Sequence, residues 1–218
     1  MDGTLLEPLE DGLPEFKRRW GIARDALVVH TLPTFDSQRR AEADREFAEL
    51  EARGASESIL RPGMRELLDH LRRAGIRLAM VTNNRRSSAS TVLARHRLVF
   101  DAVLTREDVA PKPDPAMIVR ALHELGAEPS GATLVGDAPV DALAARAAGL
   151  ERIYLFDSPE LARFTGALHT GLLAPGSQQG DPGWPPGGLG GNGVVLVGSV
   201  DDLARRLSSD GLPGLAPR

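Results

Sequence analysis

The feature that most constrains how this chain folds is a repeated unit: a short apolar run of strand character, then an amphipathic helix with its own start and stop signals. Such alternation predicts an α/β architecture around a parallel sheet. Pro62 suits a first helical turn, Met64, Leu67, Leu68 and Leu71 follow helical spacing, and Gly75 closes that helix as a left-handed cap. Ile76 to Val81 then reads as a strand ending at Thr82. A helix from Ser87 to Arg97 and a strand from Ala102 to Thr105 follow. The next helix, Pro115 to Leu125, has Asp114 as N-cap and Gly126 as its stop. Thr133 to Val135 leads into a helix from Pro139 to Ala148 ended by Gly149, and Ile153 to Phe156 is the next strand.

Two regions break the rhythm. From about residue 8 to 58 the only strand-like run is Ala26 to Leu32, beside a helix of alternating charge from Arg39 to Arg53 with Phe47 and Leu50 on its inner face. This predicts a mostly helical insert in which Trp20 and Phe47 pack a small core. From 169 to 192 the composition collapses into Gly and Pro, which predicts a flexible loop because too little apolar surface is available to offset chain entropy. Order is expected to resume with the strand Val194 to Val197 and a helix from Val200 to Leu207, followed by a frayed tail over 208–218.

Composition excludes several functions. The chain has no cysteine, so disulfides, thiolate nucleophiles and cysteine-held metals are out. Its histidines are isolated, with no pair spaced to aim at one zinc ion. A formal net charge of -4 offers no basic face for a nucleic acid backbone. No run reaches the roughly 18 apolar residues of a membrane span, and the start lacks the basic and apolar regions of a signal peptide. The expected place is the cytoplasm, and neither nucleic acid nor membrane is an expected partner.

Open α/β sheets gather ligands at the carboxyl ends of their strands. Four segments fall there: Asp2-Gly3-Thr4 at the start, Thr82-Asn83-Asn84, Pro111-Lys112-Pro113, and Gly136-Asp137-Ala138-Pro139-Val140-Asp141. A hydroxyl at a strand end with a backbone N–H beyond it suits a phosphoryl oxygen, which describes Thr82 and Asn83. Lys112 is one of only two lysines among 26 basic residues, and it supplies a compact charge that neutralises a phosphate and a neighbouring carboxylate. Asp137 and Asp141 lie on one face of a helix start, where like charges repel and a hard cation such as Mg²⁺ would offset them. Singly, each has a bland reading as a cap, a surface charge or a dipole match. Arg85 and Arg86 read as a solvated helix start.

In combination and order, these segments resemble the haloacid dehalogenase superfamily, particularly its phosphoglycolate-phosphatase-like branch, through the stretches MVTNN, APKPDP and LVGDAPVD. The resemblance implies a Rossmann-like three-layer parallel-sheet core from 1–7, 59–168 and 193–207, with residues 8–58 as a small helical cap inserted after the first motif. It implies an Mg²⁺-dependent phosphatase that hydrolyses a small phosphorylated metabolite through an aspartyl-phosphate intermediate. Asp2 matches the general acid/base, with its backbone carbonyl on Mg²⁺. Thr82 and Asn83 match the phosphate binders, and Lys112 the lysine bridging nucleophile and phosphate. Asp137 matches the metal ligand, and Asp141 the carboxylate that supports the metal shell.

One departure stands out. The family motif is D-x-D-G-T, and its first Asp is the nucleophile. Here Asp2 is the second Asp and Met1 fills the middle position, so the nucleophile would fall one residue before Met1. The expectation is that the natural protein extends upstream by about 5–15 residues, enough for a central strand. The alternative is a catalytically inactive binding or regulatory protein of the same fold. A dinucleotide-binding reading of Gly188 to Gly193 is weak, since that fingerprint needs a strand before it and a helix after.

Overall fold

Residues 1–8, 12–158, 161 and 194–211 are described by the structure, a computed structural model. The first helices are α1 (Leu13–Trp20), α2 (Val28–Thr31) and α3 (Ser37–Glu57), with a 3-10 turn at Leu32–Thr34. The alternating part follows as α4 (Met64–Arg73), β1 (Ala79–Thr82), α5 (Arg86–Arg95), β2 (Ala102–Thr105), α6 (Ala116–Leu125), β3 (Thr133–Gly136), α7 (Pro139–Ala147) and β4 (Arg152–Phe156). After it come β5 (Val194–Val197) and α8 (Val200–Ser209). Parallel pairing joins β1 to β2, with Ala79 opposite Ala102. It also joins β3 to β4 and β4 to β5.

β4, buried on both faces, shows the layering of the molecule. Along β4, Tyr154 and Phe156 pack with Met64 and Leu67 of α4, Val92 of α5 and Leu203 and Leu207 of α8. Ile153 and Leu155 point the other way, into Ile118 and Leu122 of α6 and Ala142 and Ala145 of α7. β1 obeys the same division, with Met80 in the first cluster and Val81 against the second. The two sheets therefore share both helical layers, although among the described strands β1 pairs only with β2 and β3 only with β4. Met1, Leu5 and Leu6 belong to the first cluster, and Leu6 forms an antiparallel bridge with Leu60.

The insert has its own core of Phe16, Ile22, Val28, Leu32, Ala43, Phe47 and Leu50, with Trp20 packed against it. The run Ala26 to Leu32 forms α2 and the 3-10 turn, not a strand. Val28 and Leu32 are both buried, and one helical turn brings them together on the face that packs in one cluster with Phe16 and Phe47. Tertiary packing has overridden a β-branched local preference. The helix expected over 39–53 extends in both directions. Asp36 caps it by accepting from the Arg39 amide at 2.9 Å, and Ala55 near its other end is buried in the main body.

Other boundaries shift for local reasons. Gly63, not Pro62, precedes α4, and Pro62 lies in the turn before it. Residues 76–78 stay out of β1 because the Ile76 amide closes the preceding helix on the Leu71 carbonyl, while the Leu78 amide donates to Asp101 Oδ2 at 2.7 Å. Pro115 occupies the N-cap of α6, with Asp114 accepting from the Ala116 amide at 2.8 Å. The chain does not fray at Ser208: α8 continues to Ser209, and the Asp210 carboxylate accepts a hydrogen bond from the Tyr154 hydroxyl. The Gly/Pro-rich stretch 169–192, Trp184, the Gly188 to Gly193 run and residues 212–218 lie outside the described residues. No helix among the described residues is long and apolar enough to cross a membrane.

Candidate active site

The four sequence-derived segments converge. Asp2, Gly3 and Thr4 form a turn in which the amides of Thr4, Leu5 and Leu6 all reach the Met1 carbonyl. Thr82-Asn83-Asn84 leaves the carboxyl end of β1, and Asp137 leaves that of β3. Between them the Thr4 hydroxyl donates to Asp137 Oδ1 at 2.6 Å, and Asn84 Nδ2 donates to Asp2 Oδ2 at 2.6 Å. The turn thus bridges the ends of two sheets.

Lys112 closes the other side. Its ammonium is buried and donates to Asp141 Oδ1 at 2.6 Å and to the Val81 carbonyl at 3.3 Å, which places two of its three protons. Asp141 Oδ2 accepts from the amides of Asp137 and Ala138, each at 3.1 Å. Asn83 clamps the Lys112 backbone from both sides: Nδ2 donates to the carbonyl at 2.9 Å and Oδ1 accepts from the amide at 2.8 Å. Hydrogen bonds run from Thr4 through Asp137, Asp141 and Lys112 to Asn83 and from Asn84 to Asp2, and the backbone from Asn83 to Asn84 and from Asp2 to Thr4 closes the ring.

Electrostatics within the ring are asymmetric. Burial, reinforced by the neighbouring Asp141 charge, pushes the Asp137 carboxyl up to about 6. Burial acts on Asp141 in the same direction, but the Lys112 ammonium and the hydrogen bonds to its oxygens hold it below the usual carboxylate range. One carboxylate is thus satisfied by protein, while the other sits against like charge with an oxygen to spare. That donor chemistry suits a hard cation placed beside Asp137. Among the described residues no three His, Asp or Glu side chains converge as a ligand set. Both Asp141 oxygens are hydrogen-bonded, which makes Asp141 the charge partner of Lys112.

Glycines at two positions make room for this arrangement. A Cβ on Gly136 would come within 2.6 Å of the Asp141 side chain. Gly3, at φ 67, lies in the left-handed region, and a Cβ there would collide with Asp137.

Several residues around the ring carry no sequence signal. Arg61 donates twice to the Gly3 carbonyl, at 3.0 and 2.6 Å, while its guanidinium lies 4.3 Å from the Phe156 ring centre. Arg106 grips Glu51 of α3 with both terminal nitrogens, at 2.5 and 2.7 Å. His30 of α2 places Nε2 3.1 Å from the Lys112 carbonyl. Arg85 is not the solvated residue expected: it pairs with Asp44 at 2.5 Å and lies 3.4 Å from Glu51. Arg86 pairs with Asp108 at 2.5 Å. Arginine and glutamate are common in this chain, so none of these was distinguishable by rarity, as Lys112 was.

A layered parallel α/β core with an acidic and cationic cluster at its strand ends has the form of a ligand site of an open α/β sheet. The haloacid dehalogenase-like hydrolase family model matches residues 1–149, and the chain belongs to that family. It is 32% identical over 193 residues to hexitol phosphatase A of Escherichia coli, covering 78% of this chain and 88% of that protein. Against the plasmid phosphoglycolate phosphatase of Cupriavidus necator it is 33% identical over 151 residues, 68% of this chain and 62% of the relative. The match to pyrophosphatase PpaX of Bacillus velezensis, 41% identical over 87 residues, spans 38% of this chain and 40% of that one. Among solved structures, CbbY from Rhodobacter sphaeroides in complex with phosphate is similar with a TM-score of 0.55 and 26% identity, over 72% of this chain and 84% of that one.

Proposed function

We propose that the protein is a magnesium-dependent phosphatase of small phosphate monoesters, working through an aspartyl-phosphate. The ring linking Asn83, Lys112, Asp141, Asp137 and Asp2 supports this reading: with the Thr82 hydroxyl held beside it by the Asn84 amide at 3.1 Å, it gathers at one edge of the core the cation, hydroxyl and carboxylates that phosphoryl transfer uses. Relatives that include hexitol and phosphoglycolate phosphatases support the substrate class.

The Thr82 hydroxyl, the Asn83 amide and the Lys112 ammonium would hold the phosphoryl oxygens. Asp137 and the Asp2 carbonyl would hold Mg²⁺, which when bound neutralises charge on those oxygens. The attacking carboxylate belongs in this scheme to an Asp directly before Met1. What supports this is that, among the described strands, β1 pairs only with β2 and β3 only with β4, so each has an edge that a further parallel strand could fill. That carboxylate attacks phosphorus, the ester bond breaks, and Asp2 gives its proton to the leaving oxygen. Asp2 then takes a proton from water as the water attacks the acyl phosphate, releasing inorganic phosphate and restoring both carboxyl groups.

The test pairs binding with turnover. Inorganic phosphate titrated calorimetrically with Mg²⁺ should bind the chain, and Lys112→Ala and Asp137→Asn should each abolish the heat. A version extended upstream by a strand ending in Asp should hydrolyse members of a phosphate monoester panel. Binding that ignores both substitutions would overturn the site. Intact binding with no hydrolysis by any extended version would favour the inactive binding protein instead.

A further inference from the structure

We infer that Arg106, locked in place by Glu51 from the helical insert, is a positioning residue for the phosphate-binding groups. The inference rests on the phosphate-site reading above.

The geometry has three parts. First, Arg106 is fixed: its side chain is 13% exposed and that of Glu51 6%, the contact is bidentate, and the guanidinium lies 5.3 Å from the Phe47 ring centre. A two-pronged carboxylate contact in a water-poor setting holds the planar group in one orientation. Second, Arg106 Nη1 also donates to the Asn83 carbonyl at 2.6 Å. That carbonyl and the Asn84 N–H belong to one rigid peptide plane. The same N–H donates to Thr82 Oγ1 at 3.1 Å, so the plane held by Arg106 also occupies a lone pair of the Thr82 hydroxyl and directs its proton elsewhere. Third, the Asn83 side chain leaves this fixed backbone to clamp the Lys112 amide and carbonyl. One guanidinium therefore sets both the hydroxyl and the ammonium that would meet a phosphoryl group.

The arrangement also crosses the molecule. Glu51 lies on α3, whose first half packs within the insert, and His30 of α2 reaches the same Lys112 carbonyl. Besides the contacts of Arg85 with Asp44 and Glu51, the insert thus bears on one pair of residues, on Asn83 through Arg106 and on Lys112 through His30.

Arg106→Gln and Glu51→Gln should each weaken inorganic phosphate binding by about 10-fold, the usual scale for groups that orient a site's ligands without touching the bound species. Calorimetric titration of the full chain reads this. A purely structural role would weaken binding equally in any background, so the deciding measurement is a cycle with Asn83→Ala. With the Asn83 side chain gone, the arm from Arg106 to Lys112 is cut, and the loss caused by Arg106→Gln should shrink at least roughly threefold. An unchanged affinity in Arg106→Gln, or an equal loss in both backgrounds, overturns the inference. Glu51→Gln, which keeps side-chain size, carries the same cycle should Arg106→Gln fail to fold. Lys112→Ala separates the two readings: if it leaves phosphate affinity unchanged, both fall, and if it abolishes binding while Arg106→Gln does not weaken it, only the positioning role falls.

Discussion

The chain's single tyrosine shows how one residue can carry a measurable consequence of packing. Tyr154 is buried in the core and its hydroxyl donates to Asp210 just beyond α8. Burial, with the Asp210 hydrogen bond and charge added, raises the phenol to about 12. Raising an acid's pKa on folding means that the folded state favours the protonated form. The stabilisation is therefore fully present below about pH 10, the unfolded value, and is lost as pH rises towards 12. With one tyrosine in the chain, absorbance of the phenolate reads this group alone. Ionisation of the native protein should be delayed towards pH 12, and a midpoint near 10 in the folded protein would contradict the contact. The Lys112–Asp141 pair is the same principle at higher stakes. Each charge is buried, and either one alone would keep only neutral hydrogen-bond partners and lose its counter-charge in a poor solvent.

At the scale of elements, the tight passage from β3 into α7 decides the acidic half of the site. Gly136 ends the strand, and the Asp141 side chain lies over it to receive the amides of Asp137 and Ala138. A methyl group there would sit 2.6 Å from Asp141 atoms, so either the carboxylate or the backbone must move. Gly136→Ala should destabilise by about 1–3 kcal/mol, the range for overpacking, and weaken phosphate binding through the displaced Asp141. Gly131 is a control, since a Cβ there meets nothing within 4 Å. Urea denaturation of both variants checks the contrast, and equal midpoints would remove Gly136 from the account. Helix stops such as Gly126 and Gly149 were readable because a left-handed glycine leaves a plain sequence mark. The start of β1 was not, because an aspartate 23 positions away in sequence claims the Leu78 amide.

For the molecule as a whole, a ring that draws on four distant segments should couple ligand binding to global stability. Phosphate with Mg²⁺ at about 100 times its dissociation constant would add about 2.7 kcal/mol to a state that alone binds it. For a chain of this size that corresponds to a rise in Tm of roughly 5–11 °C. Thermal unfolding should show the rise in the unsubstituted protein and lose it in Asp137→Asn. An equal rise in both would place the ligand elsewhere. The same linkage runs through the insert, because Glu51 and His30 touch the site's loops while their helices belong to a separate small core.

The sequence alone determined the alternation of strand and helix, the glycine stops and the four segments at the strand ends, since each is written in local periodicity or in a scarce residue such as Lys112. Local pattern failed where distant atoms competed. Val28 and Leu32 turned helical to reach Phe16 and Phe47, and α8 continued past Ser208 to a residue tied to Tyr154. Tertiary structure alone decided which carboxylate Lys112 neutralises and which arginine, among many alike, holds the Asn83 carbonyl. Such partnerships depend on directions in space that spacing along a chain does not encode.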